Sequence, residues 1–145
     1  ADQLACMAAN ALREKANRLD VSLTTGGPDP PPNLSVDPPL IERALANLLR
    51  NAIDATPGGR VELSWFNREQ FVGFCVDDDG PGISEDNINR LFEPFFTTKD
   101  VGQGTGLGLP VVHGIVEEHG GDIEVADSPL GGARFRIRLP RFQDL

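Results

Sequence analysis

Three short segments occur in a fixed order along the chain and constrain its fold more than any other feature. Asn47–Ala55 reads NLLRNAIDA, Asp78–Gly82 reads DDGPG and Gly102–Leu109 reads GQGTGLGL. Each segment is weak evidence on its own. Their order is far more restrictive, because helix and strand patterns lie between them and allow a helix face, a strand end and a glycine loop to line one pocket.

Length and charge restrict the class of protein. With 145 residues, 39% hydrophobic and 24% charged, the chain is long enough for one domain with a real core. The net charge of −9 argues against nucleic acid as a partner, because such surfaces normally carry a basic stripe. The longest strongly apolar run, Phe71–Val76, is too short to cross a bilayer, so we expect no direct membrane insertion by this domain. The absence of a basic-then-apolar leader, and two cysteines without metal spacing, favour a cytoplasmic location.

The first half of the chain alternates helix and strand patterns. Asp2–Leu19 has an apolar stripe near period 3.6, which predicts a helix. Asp37 followed by Pro38 predicts the start of a second helix, which runs to about Ala55 and ends before Pro57. The predicted strands are Val21–Thr25, Val61–Trp65 and a central, wholly apolar Phe71–Val76, with a loop at Gly26–Asn33 and a further pairing segment at Leu34–Val36.

The second half predicts a long irregular stretch, one helix and a closing hairpin. Its elements are the irregular Asp77–Gly106, a short helix near Glu85–Phe92, a helix from Leu107 to His119, a strand at Ile123–Val125, a Gly131-Gly132 turn and a strand at Ala133–Leu139. Arg134, Arg136 and Arg138 alternate with apolar residues, which predicts a solvated sheet face. The whole order predicts an α/β sandwich (α+β): a mixed, mainly antiparallel sheet of about five strands covered on one face by three helices.

Amides and a carboxylate share one face of the second predicted helix. Asn47, Asn51 and Asp54 stand at positions i, i+4 and i+7, and their face borders the buried stripe. Side chains there are predicted to be half-buried at the lip of a pocket. Plain surface asparagines are the alternative, although asparagine is a poor helix former.

The second segment places a carboxylate at the end of the central strand. Gly80 and Gly82 permit a tight turn and a close approach of the backbone to a ligand, and Ile83 follows them. Asp78 lies where the strand ends, a frequent position for ligand-binding groups in α/β folds. A simple acidic turn is the alternative. A calcium loop is disfavoured, since the EF-hand spacing and its closing glutamate are absent.

The third segment combines an aromatic patch with a glycine loop. Leu91–Lys99 reads LFEPFFTTK, and the following glycines lead into a helix, whose first N–H groups form an anion site. No Gly-Lys-Ser/Thr follows, so this is not a Walker loop. The alternatives are a patch that pins a loop to the core and a flexible glycine hinge.

Together these residues resemble the catalytic, ATP-binding domain of sensor histidine kinases, within the superfamily of gyrase, heat-shock chaperone and mismatch-repair ATPases. The resemblance covers nearly the whole chain and implies a Bergerat-type fold with ATP and Mg²⁺ as cofactors. It implies that Asn51 coordinates the magnesium ion that bridges the triphosphate and that Asp78 accepts a hydrogen bond from the adenine amino group. It makes Asn51 and Lys99 the catalytic residues. It extends the nucleotide contacts to Asn47, Asn51, Asp54, Asp78, Gly80, Gly82, Ile83, Thr98, Lys99, Gly102, Gly104, Thr105, Gly106, Leu107 and Gly108.

Two positions depart from the related patterns. Hydrolytic relatives carry a glutamate one turn before the metal asparagine; here Asn47 stands there, and an amide cannot act as a general base. This favours a kinase over a self-sufficient ATPase. Many histidine kinases place a basic residue where this chain has Asp54, so Arg50 or Lys99 is expected to supply the phosphate contact.

The resemblance does not extend to a phosphoacceptor histidine. His113 lies within a predicted helix and His119 at its end, which predicts that each is a packed or capping histidine. We therefore expect that the chain binds ATP but does not phosphorylate itself. Its expected partners are the phosphoacceptor and dimerisation domain of the same kinase and a downstream response regulator. The alternatives are an ATPase clamp of the topoisomerase or mismatch-repair type, a stand-alone serine kinase of the anti-sigma-factor type, and a degenerate docking module.

Overall fold

The computed structural model describes residues 2–32, 34, 36–83 and 108–140. Within these residues, the elements in chain order are α1 (Asp2–Arg18), β1 (Ser22–Gly26), α2 (Pro38–Ala55), β2 (Arg60–Asn67), β3 (Phe71–Asp78), α3 (Gly108–Glu118), β4 (Asp122–Asp127) and β5 (Ala133–Pro140). The predicted short helix near Glu85–Phe92 lies outside the described residues, as does the aromatic segment Leu91–Lys99 and most of the glycine loop.

The strands form one mixed sheet in the order β1-β2-β3-β5-β4. β1 and β2 are parallel and are joined through α2, whereas all other neighbours are antiparallel. Seven of the eight β3 residues, Val72 to Asp78, are buried, which confirms the prediction that this strand is central. The predicted fold class is correct: the described helices α1, α2 and α3 cover one face of this five-stranded sheet.

Helix α2 forms the middle of the helical layer and contacts both α1 and α3. The Asp37 side chain caps it by accepting the Leu40 N–H, and prolines occupy its first turn, as predicted. The helix ends at Ala55, and Thr56 supplies the C-cap. Its buried face packs over the sheet and consists of Ile41, Ala44, Leu45, Leu48, Leu49, Ala52 and Ile53.

Strand β1 begins one residue later than predicted, because the Val21 N–H closes the C-terminal end of α1 and does not pair in the sheet. The Val21 N–H donates to the carbonyl of Ala16 at 2.8 Å, and Asp20 adopts a left-handed φ of 55° between them. This closes the helix in the way that a C-terminal cap does. The further pairing segment predicted at Leu34–Val36 is wrong for its described residues Leu34 and Val36, which lie in no strand.

The other sheet face carries the arginines of β5, and the described residues place no helix over it. Arg134, Arg136 and Arg138 are partly exposed and pair with Asp77, Glu124 and Asp122, respectively. The prediction that this sheet face is solvated is confirmed. In addition, carboxylates on the neighbouring strands neutralise the charges of the three arginines.

The two histidines lie within α3 and directly after it. The His119 Nδ1 lies 2.8 Å from the carbonyl oxygen of Ile115, and its Nε2 accepts the Asp37 N–H at 3.0 Å. This confirms the capping role and connects α3 to the start of α2. His113 lies on the helix surface, 3.6 Å from Glu117. No helix of the described residues is long and apolar enough to cross a bilayer.

Candidate functional site

The Asp78 carboxylate is the central group of the candidate site. It ends β3, is 6% exposed, and its Oδ1 accepts the N–H of Gly80 at 3.0 Å and of Ala133 at 3.1 Å. Desolvation by burial raises its pKa; the two N–H donors lower it, and the nearby charges of Asp79 and Asp77 raise it further. Both N–H groups bond to Oδ1, so the hydrogen bonds seen among the described residues leave Oδ2 available to a ligand.

The glycines after Asp78 bring this carboxylate against the end of α2. A Cβ on Gly80 would lie 2.6 Å from the Thr56 Cγ2 and 3.1 Å from the Ala55 carbonyl oxygen, so only a glycine fits there. Gly82 has a φ of +76°, a conformation that favours glycine. The first and second sequence segments therefore meet at this corner, as the sequence predicted.

Thr56 is a site residue that the sequence reasoning missed. It is 4% exposed, and its Oγ1 donates to the Ala52 carbonyl at 2.8 Å, which turns its methyl group toward Gly80. The only signal in the sequence is its place directly after a helix, where a hydroxyl satisfies a terminal carbonyl. Nothing local indicates that this residue supports a neighbouring turn.

The β4–β5 turn closes the site from the other side. The Gly132 N–H donates to the Asp78 carbonyl at 3.1 Å, and a Cβ on Gly132 would overlap the Asp78 Oδ1. The Gly131-Gly132 pair was predicted as a hairpin turn, and it is one. Its contact with the carboxylate, and the role of Ala133 as a donor, depend on the pairing of β3 with β5 and carry no local signal.

The predicted face of α2 is half-buried, as expected for the lip of a pocket. Asn47, Asn51 and Asp54 all have intermediate exposure. Asn51 lies one helical turn before Ala55, whose carbonyl approaches the glycine turn. The Asn47 Oδ1 accepts a hydrogen bond from Arg50 at 3.0 Å.

Asp54 is paired with a cation that the sequence reasoning did not name. The Lys15 ammonium of α1 lies 2.8 Å from the Asp54 carboxylate, and both side chains are partly buried. The sequence suggested Arg50 or Lys99 as the residue that supplies the phosphate contact in place of Asp54, and named no ion-pair partner for Asp54 itself. In the structure Arg50 bonds to Asn47, and Lys99 lies outside the described residues.

The donor set on α2 suits a hard cation that keeps most of its water. Among the residues that the structure describes, no group of three or more His, Cys, Asp and Glu side chains is placed to hold a metal ion. Asn51 offers one amide oxygen, and Mg²⁺ typically takes few protein ligands beside waters and phosphate oxygens. A magnesium ion bound here would take its remaining ligands from water or from phosphate oxygens.

Part of the predicted nucleotide-contact set cannot be located in the described residues. Ile83 is described and packs at the edge of the core, and Gly108 begins α3. The remaining residues lie outside the described part and stay predictions: Thr98, Lys99, Gly102, Gly104, Thr105, Gly106 and Leu107. The aromatic residues Phe92, Phe95 and Phe96 also lie outside the described part of the chain.

Comparison with known proteins gives one consistent result. The family model described as "Histidine kinase-, DNA gyrase B-, and HSP90-like ATPase" matches residues 36–143. The chain is 41% identical over 128 residues to the sensor histidine kinase ZraS of Escherichia coli O157:H7, a match that covers 88% of this chain and 28% of that protein. The chain thus spans under a third of the length of this curated relative.

Solved structures agree with the sequence match. The nucleotide-free catalytic domain of the histidine kinase ThkA superposes with a TM-score of 0.87 at 30% identity, covering 97% of this chain and 91% of that chain. ThkA in complex with the response regulator protein TrrA gives a TM-score of 0.80 at 28% identity, covering 97% and 40%. Full-length ShkA in complex with AMPPNP gives 0.87 at 28% identity, covering 98% and 30%.

Proposed function

The chain belongs to the histidine kinase-, DNA gyrase B- and HSP90-like ATPase family, and from this membership we propose that it binds Mg-ATP and presents the γ-phosphate to a histidine of a separate phosphoacceptor domain. The observation that carries the proposal is the buried Asp78 carboxylate, on which both backbone hydrogen bonds from the described residues fall on one oxygen, so that the other can accept a bond from a ligand. The similarity to ShkA, solved with AMPPNP, supports a nucleotide as that ligand.

Adenine is the base that suits this carboxylate. In the proposal, Asp78 Oδ2 accepts a hydrogen bond from the exocyclic amino group of adenine. Guanine carries an oxygen acceptor at the corresponding edge, and two acceptors that face each other in a buried site repel one another. Because Asp78 is 6% exposed, water cannot easily relieve that repulsion, so the site should bind ATP well and GTP poorly.

Asn51 is proposed as the protein ligand of the magnesium ion, which would neutralise the charge of the triphosphate when bound. Asn51 lies one helical turn before Ala55, whose carbonyl oxygen approaches Gly80 in the turn after Asp78. Lys15 supports this assignment indirectly, since it neutralises Asp54 on the same helix face. An unpaired carboxylate there would oppose a polyphosphate.

The residues favour positioning of ATP over its hydrolysis. Asn47 stands where a hydrolytic relative carries a general base, and its amide already accepts a hydrogen bond from Arg50. Phosphoryl transfer depends mainly on alignment and charge neutralisation, so a domain that only holds ATP can serve a nucleophile on another domain. By analogy with the ThkA–TrrA complex, we propose a response regulator as the downstream partner.

Calorimetric titration of the chain with ATP and GTP, with and without Mg²⁺, tests the pocket. We expect saturable ATP binding, weak GTP binding, loss of ATP binding in Asp78→Asn and loss of the Mg²⁺ dependence in Asn51→Ala. The matched controls are Asp2→Asn and Asn10→Ala, which alter exposed residues of the same types on α1, away from the site. Equal binding of the two nucleotides, or equal effects of site and control variants, would contradict the proposal.

Mixing the chain with a separately produced phosphoacceptor domain and labelled ATP tests the transfer. We expect acid-labile phosphohistidine on that domain and none on this chain. Acid-stable phosphoserine on a partner, or steady ATP hydrolysis by the chain alone, would instead support the serine-kinase or ATPase-clamp alternative.

A further inference from the structure

Ser128 joins the β4–β5 turn to the central strand. It is 8% exposed; its Oγ donates to the Asp77 Oδ1 at 2.9 Å and accepts the Leu130 N–H at 3.1 Å. Its backbone N–H also donates to the Gly132 carbonyl at 2.8 Å. One residue therefore closes the turn and attaches it to β3 across 51 positions of sequence.

The acceptor of this bond is held in place by a second group. The Asp77 side chain is 4% exposed, and Arg134 contacts both of its oxygens, with Nε 2.7 Å from Oδ1 and Nη2 3.2 Å from Oδ2. This two-point geometry restricts rotation of the carboxylate. The Ser128 hydroxyl therefore donates to a carboxylate whose orientation is fixed by Arg134.

The same turn holds the neighbouring carboxylate from the opposite face of β3. Asp77 and Asp78 are consecutive strand residues, so their side chains point to opposite faces of the sheet. The Gly132 N–H donates to the Asp78 backbone oxygen and the Ala133 N–H to Asp78 Oδ1, each at 3.1 Å. The position of the turn thus sets the direction of the Asp78 side chain.

We infer that Ser128 is a positioning residue for Asp78: by bonding to Asp77, it sets the β4–β5 turn that directs the Asp78 carboxylate toward the nucleotide base. The inference rests on the proposed function of Asp78 in base recognition. Among the described residues, Ser128 bonds to Asp77, Leu130 and Gly132 and not to Asp78, so it acts on Asp78 through the N–H group of Ala133.

The test compares Ser128→Ala with Ser128→Thr, which restores the hydroxyl, and with Ser64→Ala. Ser64 lies on β2 in register with Cys75 and takes no part in the network, so it controls for a serine change in the same sheet. The first readout is the amide proton shifts of Gly80 and Ala133 in the nucleotide-free chain. Both groups bond to Asp78, but only Ala133 belongs to the turn. The second readout is the ratio of ATP to GTP affinity.

In Ser128→Ala we expect the Ala133 amide proton to move upfield while that of Gly80 keeps its position. ATP affinity should fall by about fivefold with little change for GTP, and Ser128→Thr should restore both values. If Ser128→Ala does not fold, Ser128→Cys, which keeps the shape and donates weakly, should show the same pattern.

An unchanged Ala133 amide proton in a folded variant would overturn the inference, as would an equal fall in ATP and GTP affinity. The amide readout needs no nucleotide. If Asp78→Asn left ATP binding intact, the proposed function would fail, and the amide shifts would still decide whether Ser128 positions this carboxylate.

Discussion

Asp78→Asn is expected to abolish ATP binding without weakening the fold. The asparagine keeps an oxygen for the N–H groups of Gly80 and Ala133, which lie 3.0 and 3.1 Å from the present Oδ1. Its NH₂ group replaces Oδ2 and donates where the carboxylate accepts, so it opposes the amino group of adenine. Loss of one charged hydrogen bond and a mismatched donor together predict a fall in ATP affinity of about 100-fold.

The effect on stability follows from two opposing contributions at Asp78. Each of its two backbone hydrogen bonds weakens by about 1 kcal/mol when the acceptor loses its charge, a loss of about 2 kcal/mol in total. Removal of the buried charge acts in the other direction, and desolvation is the largest cause of the raised pKa of this group. Because the pKa is raised overall, the ionised group is less favourable in the folded chain than in the unfolded one. The free energy of unfolding at pH 7 should therefore be unchanged or higher in the variant.

The same reasoning gives the sign of the pH dependence. A carboxyl group whose pKa is raised on folding binds more protons in the folded state than in the unfolded state. Its contribution to stability therefore falls as the pH rises from its usual pKa of 3.8 through the raised pKa of the folded chain. Asparagine does not titrate, so the two proteins should be similar below this window and differ above it, with the variant the more stable.

Urea denaturation between pH 3 and pH 8, combined with calorimetric titration of ATP, measures both effects. Asp79→Asn is the matched control: it removes a charge one residue away, from a side chain that accepts the Arg60 N–H at 2.8 Å. A variant less stable than wild type by more than about 1 kcal/mol at pH 7 would refute the account of the buried charge. An ATP affinity no lower than that of Asp79→Asn would refute the assigned role in base recognition.

Two further substitutions test the surroundings of this carboxylate. Arg134→Gln should lower the free energy of unfolding in urea by about 3 kcal/mol, because the buried Asp77 charge loses its ion-pair partner and keeps only the Ser128 hydrogen bond. Adding Asp77→Asn should recover most of the loss, and simple additivity would contradict this explanation. Gly132→Ala should cost about 1–3 kcal/mol of stability and also weaken ATP binding, because its methyl group would overlap the Asp78 Oδ1. The control is Gly114→Ala on α3, where an added methyl group would meet no neighbouring atom. This variant should be as stable as wild type or more stable by up to about 1 kcal/mol. Equal losses of stability in the two alanine variants would contradict the explanation by steric overlap at Gly132.

The elements that the sequence predicted best are those with local signals. The cap at Asp37, the end of α2 at Ala55 and the apolar run from Phe71 depend on residues within a few positions of one another. The start of β1 was misplaced by one residue because Val21 bonds back to Ala16 in α1. That bond requires the left-handed turn at Asp20, and apolar alternation carries no information about it.

The site was predicted in outline and not in its contacts. Asp78 and Asn51 were chosen by motif, and the structure places their segments at one corner, where Gly80 meets Ala55. The pairing of Asp54 with Lys15 was not foreseen, since it depends on how α1 packs against α2. The roles of Asn51 and of the residues outside the described part stay predictions.

The sequence by itself determined the type and order of the elements, the central place of β3 and the helix face that carries Asn51, because periodicity and capping act over a few residues. Only the tertiary structure decided which groups meet across the fold. The Ala133 N–H reaches Asp78 across 55 positions and the Ser128 hydroxyl reaches Asp77 across 51. Such contacts follow from strand register, which is a property of paired strands and is not written in either strand alone.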